Sequence, residues 1–153
     1  MSLRRSVVLS FAGALLLGGC SSKVEVGNAA IAGKTPDAYV TMHMVQAAYL
    51  GSGTAGHGTI SFNGNTYAFR VDGLGFGGIG VSEIDAQGEA YSMPSISVFP
   101  GAYAQARYGY ALGSASGGDL WLQNDKGVVM HLKAKRTGLM LSLGGDAVVI
   151  SMQ

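Results

Sequence analysis

The stretch "VDGLGFGGIG", Val71 to Gly80, holds five glycines in ten positions. Two overlapping G-x-G-x-x-G spacings fit it: Gly73, Gly75 and Gly78, or Gly75, Gly77 and Gly80. That spacing marks a dinucleotide loop only between a strand and a helix, because the phosphates rest on the helix N-terminus. The next residues, "VSEIDAQGEAYSM" (81–93), have β-branched residues early, Gly88 in their middle and no helical stripe. The glycines are therefore read as architectural. Gly73, Gly75 and Gly77 alternate with Leu74 and Phe76, which leaves one strand face bare and carries Leu74 and Phe76 into the core. Gly77-Gly78 shifts the parity by one residue, as a β-bulge does. A bare face admits another sheet, an aromatic ring or a sharply coiled barrel wall.

The flanks carry the same period. "HGTISF" and "TYAFRV" surround Asn63-Gly64-Asn65, and Asn-Gly between β-rich runs is a strong hairpin signal. Ile60 and Phe62 alternate before that turn, and Tyr67, Phe69 and Val71 after it. Tyr39–Leu50 reads as a strand ended by "GSGTAG" (51–56), and 79–93 as a strand of mixed alternation. "PSISVFPG" (94–101) reads as a short helical turn or loop. "AYAQARYGYAL" (102–112) reads as a strand and "GSASGG" (113–118) as a loop. "DLWLQ" and "VVMHLKAK" form a second hairpin about Asp125–Gly127, and "GLMLSLGGDAVVISM" closes the chain as two short strands about "GGD". About eight or nine short strands at this spacing predict a single all-β domain, a small antiparallel barrel or sandwich. There is no room for the long helices of a doubly wound fold, and no repeat of fixed period is visible.

The N-terminus is a targeting segment, set aside before fold reasoning. Arg4 and Arg5 precede the apolar run Ser6–Leu17, which is shorter than the about 20 residues a spanning helix needs. It ends in Leu17-Gly18-Gly19-Cys20, which resembles a bacterial lipobox. The resemblance implies cleavage between Gly19 and Cys20 and acylation of Cys20, which anchors the chain to a membrane. Ser21 and Ser22 suit the outer membrane, with the domain facing the periplasm. The organisation read from this is a signal peptide over 1–19, a lipidated cysteine and linker over 20–36, and the all-β domain over 37–153.

Cys20 is the single cysteine, so an intramolecular disulfide and a cysteine metal site in the domain are both excluded. The mature chain has 153 − 19 = 134 residues, and losing Arg4 and Arg5 leaves 10 − 2 = 8 basic side chains against 9 acidic. A net charge of 8 − 9 = −1 gives no general attraction to nucleic acid.

"GLGFGGIG" with the glycine-studded segment from about 70 to 150 resembles small glycine-rich β-domains of the bacterial envelope. It is similar to SYLF lipid-binding domains and to envelope-integrity β-barrel proteins. The chain lacks the long helical N-terminal part of a SYLF domain and matches none of its lipid-binding residues, so no site is carried over. The resemblance implies a non-catalytic envelope protein.

Candidate chemistry is sparse. His43, His57 and His131 have neither the i, i+4 nor the H-x-H spacing of a local metal site. Glu83 and Asp85 share a strand face and suit acid–base work, a hard cation or plain solvation. Lys133, Lys135 and Arg136 form the basic cluster of the mature chain, suited to lipid headgroups, a glycan or edge protection. No nucleophile elbow is present, and no cofactor or metal is expected.

The expected function is envelope structure or binding of a small amphipathic or lipid ligand, in an apolar pocket lined by Phe76, Tyr103, Tyr108 and Trp121. An interaction module of an envelope complex instead predicts an exposed aromatic patch. A hydrolase predicts Glu83, Asp85 and a histidine around one cleft.

Overall fold

A computed structural model describes residues 27–112, 115–141 and 147–153, with side chains at 48, 50–52, 74–79, 106–112, 115–116 and 139–141 left out. The signal peptide, Cys20 and the first part of the linker lie outside the described residues.

Six antiparallel strands form the sheet: β1 (Ala38–Phe62), β2 (Asn65–Tyr91), β3 (Gly101–Leu112), β4 (Ala115–Asn124), β5 (Val129–Leu141) and β6 (Ala147–Met152). Their order is β1-β2-β5-β4-β3-β6, and β6 returns to pair with β2. β1 and β2 are long enough to serve twice. The first half of β1 pairs with the second half of β2 (Ala38↔Ala90), and the second half of β1 with the first half of β2 (Phe62↔Asn65).

The two halves of β1 also meet. Thr41 Oγ1 lies 2.9 Å from Thr59 Oγ1, and a Cβ on Gly56 would stand 2.9 Å from Met44 Cα. Gly73 and Gly138 show the same tight approach to strands they pair with. The result is one closed barrel of eight antiparallel staves. Each half of the chain traces a Greek key, its fourth stave returning beside its first: the second half of β2 beside the first half of β1, and β6 beside β3.

Glycine makes the folding back possible. Tyr49↔Ile79 and Gly51↔Phe76 are successive pairs, so Leu50 alone stands opposite Gly77 and Gly78. This is the expected bulge. "GSGTAG" does not break β1, because glycines without Cβ let the chain coil while pairing persists through 51–56. "GSASGG" is likewise mostly strand, since β4 starts at Ala115 and its glycines pair with β3 and β5. Gly138–Leu141 continues β5 instead of starting a new strand.

The Asn63-Gly64 hairpin forms as expected. Asn63 and Gly64 both adopt positive φ (49° and 80°), the conformation that suits a two-residue turn between twisted strands. Ile96–Val98 is the expected short helical turn, of 3-10 type.

Period two sorts the barrel wall. Val40, Met42, Ile60, Phe69, Val71, Ile84, Leu120, Leu122, Met130, Leu132 and Ile150 point inward and are buried. Phe69 meets Phe99 edge-on at 5.2 Å, and Phe99 meets Tyr103 at 6.3 Å. Burying each such side chain contributes about 1.5–3 kcal/mol. Gly73 continues the inward parity of Phe69 and Val71, so at this level the glycine parity turns inward, the reverse of the expected arrangement, while the side chains of Leu74 and Phe76 lie outside the described residues. A Cβ on Gly73 would stand 2.9 Å from Ala147 O and 3.1 Å from Val148 Cγ1. Strand β6 therefore occupies the glycine face at that level.

Candidate functional site

Antiparallel connectivity gives the barrel two unlike ends. The lower end carries the Asn63-Gly64 turn, the Ile96–Val98 turn and the β4–β5 turn at Asp125–Lys126. The upper end carries the bulge at Gly77-Gly78, the end of β3, the start of β4, the end of β5 and the start of β6.

The interior changes character between them. Its lower part is aromatic and aliphatic and closely filled, as expected for a barrel of eight staves. Its upper part holds buried polar groups: Gln46 and Ser82, each 1% exposed, and Thr54. Gln46 and Ser82 face each other across β1 and β2. Arg136 Nη2 donates to Gln46 Oε1 at 2.9 Å, which places the guanidinium inside the barrel wall. The basic cluster therefore splits by parity. Arg136 turns inward in step with Leu132 and Ala134, while Lys133 and Lys135 stay exposed outside. An inward cation is uncommon in an apolar wall, because an interior charge must be met by polar groups.

The second concentration is a cleft of about 580 Å³ on the outer wall, where both halves of β1, β2 and β5 lie side by side. Two transverse rows line it. Thr59, Thr41, Gln87 and Lys133 form one; His57, His43, Asp85 and Lys135 form the other. His43 Nδ1 lies 2.7 Å from Asp85 Oδ1. An ionised carboxylate only accepts, so the imidazole donates. The His43 and His57 rings are 5.9 Å apart. Sequence spacing missed this pairing because His43 and Asp85 become partners only through register. Glu83 is exposed on the same face but lies outside the cleft. Among the described residues no group of three or more His, Cys, Asp or Glu is placed to hold a metal ion.

The four residues expected to line a ligand pocket part company. Tyr103 is in the core and donates its hydroxyl to Phe99 O at 2.5 Å. Burial pushes its phenol well above the usual range. Trp121 sits on the opposite, outer face, yet is only 3% exposed. Its indole stacks on His131, and Gly27 and Asn28 help line a pocket of about 430 Å³ beside them. Tyr103 and Trp121 thus share no cavity. The side chains of Phe76 and Tyr108 lie outside the described residues. Beside Trp121, Asp119 accepts from Lys133 and from His131 Nε2, and these partners, the lysine first, hold its carboxyl below the usual range.

No protein-family model, curated protein or solved structure matches the chain. The functional reading rests on its own residues.

Proposed function

We propose that the protein is an envelope lipoprotein, acylated at Cys20 and facing the periplasm from the outer membrane. Its barrel is a non-catalytic module for a small amphipathic ligand. The observation that carries the binding role is the Arg136–Gln46 hydrogen bond inside the upper end of a barrel whose lower interior is aromatic and aliphatic. A cation and neutral polar groups there suit an acidic or carbonyl-bearing head group. Support for the anchor comes from Arg4-Arg5, the short apolar run and Leu17-Gly18-Gly19-Cys20.

The test is purification of the mature protein from its own envelope, followed by mass spectrometry of extracted lipids. A defined lipid should co-purify with the parent, and its yield should fall at least tenfold in Arg136→Gln. Equal recovery from the two proteins, both folded, sinks the binding role. Cys20→Ser should accumulate as unprocessed precursor without acyl label, and normal processing of that variant sinks the anchor.

One observation favours a second reading, hydrolysis in the outer cleft. Asp85 orients His43 there, with His57 and Lys135 beside them. Asp85→Asn would abolish any such activity without changing lipid recovery.

A further inference from the structure

We propose that the upper end of the barrel rests on the lipid surface, with Tyr49 and Val81 inserted at its boundary; this rests on the reading of Cys20 as the anchor. Two independent observations meet at that end.

The first is an exposed apolar patch. Tyr49 is 82% exposed and Val81 57%, with Val45 beside them. Register makes them neighbours: Tyr49 pairs with Ile79, Ala47 with Val81 and Val45 with Glu83, on adjoining staves of β1 and β2. A tyrosine with an apolar ring and a polar tip suits the boundary between acyl chains and water. Glu83 sets the depth. It is exposed two residues below Val81 on the same face, about 7 Å along the strand, and a carboxylate stays at head-group level.

The second is the course of the N-terminal segment. Asp37 is fixed at the lower end, its N–H donating to Ala90 O and its carboxylate accepting from Met93 N. From there, read backwards, the chain climbs the outer wall past Lys34, which donates to Ser92, to Gly27 beside Asp119 and Trp121. It is heading for the upper end. Asp119 lies 119 − 115 = 4 residues from the upper start of β4, about 13 Å. The 27 − 20 = 7 steps from Cys20 to Gly27 reach about 25 Å when extended. Acyl chains on Cys20 can therefore enter the same leaflet that the patch touches. With a mature charge near zero, the attraction is apolar and needs no anionic lipid.

The experiment uses the full chain, processed and purified in detergent, then reconstituted into phosphatidylcholine vesicles that contain a brominated-chain lipid. Intact mass reports acylation separately. Tyr49→Trp places a reporter on the patch, and Thr66→Trp places one on the exposed face near the lower turn. Relative to the parent, whose single Trp121 sets the background, the added emission of Tyr49→Trp should be quenched at least twofold and shifted to the blue. That of Thr66→Trp should not change, and neither result should depend on salt. Acylated protein in which the two reporters behave alike overturns the docking. So does an unquenched Tyr49→Trp in a protein that dimerises, which would assign the patch to a second copy. A mass without acyl chains overturns the anchor and the docking together, and is recognised before any fluorescence is read.

Discussion

The Trp121 indole and the His131 imidazole lie stacked on the outer wall of the barrel, their centroids 4.0 Å apart and their planes 8° from parallel. They are a directly opposed pair of β4 and β5. Asp119 accepts from His131 Nε2 at the ring edge, at 2.6 Å, and also from Lys133. An indole, an imidazole and an ion pair thus lock two staves together where the N-terminal segment crosses them.

The Asp119 carboxyl titrates below its ordinary value because Lys133 and His131 favour the charged form. Its contribution to stability is present above the unfolded carboxyl pKa, about 3.9. It disappears as pH falls through the lower folded value. Asp119→Asn should cost about 1 kcal/mol near neutrality, as expected for a partly exposed pair. The variant should also lose less stability on acidification than the parent. Urea midpoints measured across the acid range give both quantities.

Tyr91 donates its hydroxyl to Glu89, and that bond, together with burial, pushes its phenol up to about 12. A raised folded pKa gives stability that is fully present below the unfolded tyrosine value, about 10, and is lost as pH rises through the folded one. The phenolate absorbance of the parent should include one tyrosine titrating later than in Tyr91→Phe. Alkaline unfolding of Tyr91→Phe should begin from a lower neutral stability.

Gly88 shows why several strand glycines are needed. It pairs with Leu132, and a Cβ there would collide with the His131 carbonyl and stand 2.9 Å from Leu132 Cα. Gly88→Ala should therefore destabilise by about 1–3 kcal/mol, the cost of overpacking a closed site. Gly53 has nothing within 4 Å of the equivalent position. Gly53→Ala should stay within about 0.5 kcal/mol of the parent. Thermal melts of the two variants distinguish a coiled wall from glycine that merely weakens a strand.

Asn124 organises the β4–β5 turn. Its side-chain oxygen accepts from the backbone N–H of Lys126 and Val128, at 3.1 and 2.9 Å, and its amide donates to Val98 O at 2.9 Å. Asn124→Ala removes the partner of the buried Val128 N–H and of the half-buried Val98 carbonyl, and should cost about 2–3 kcal/mol. Asn124→Asp keeps the acceptor and should recover part of the loss. Denaturant unfolding of the three proteins checks the order.

Much of the wall was legible because it depends on near neighbours. Asn63-Gly64 requires two positive φ values, and the sequence supplies the residues that adopt them. Ile60, Phe62, Phe69 and Val71 alternate and are buried in step. The parity slip at Gly77-Gly78 appears as a bulge opposite Leu50. Glycine as a strand breaker was the weak inference. At 51–56 and 115–118 the missing Cβ permits tight coiling, which local propensity cannot distinguish from a loop.

The candidate sites were less legible, because their partners are distant in sequence. His43 is 42 residues from Asp85, and Gln46 is 90 from Arg136. Tyr103 and Trp121 both looked like ligand-facing aromatics, yet parity against Leu120 and Leu122 sends Trp121 outward. The sequence by itself determined an all-β domain, the Asn63-Gly64 hairpin and the parity of the strands that flank it, since period and turn chemistry act over a few residues. Closure into a barrel, the folding back of β1 and β2 on themselves, and the meeting of Arg136 with Gln46 and His43 with Asp85 were decided only by tertiary structure. Those depend on register between distant strands, which is set by how the whole wall packs around Phe69, Phe99 and Tyr103.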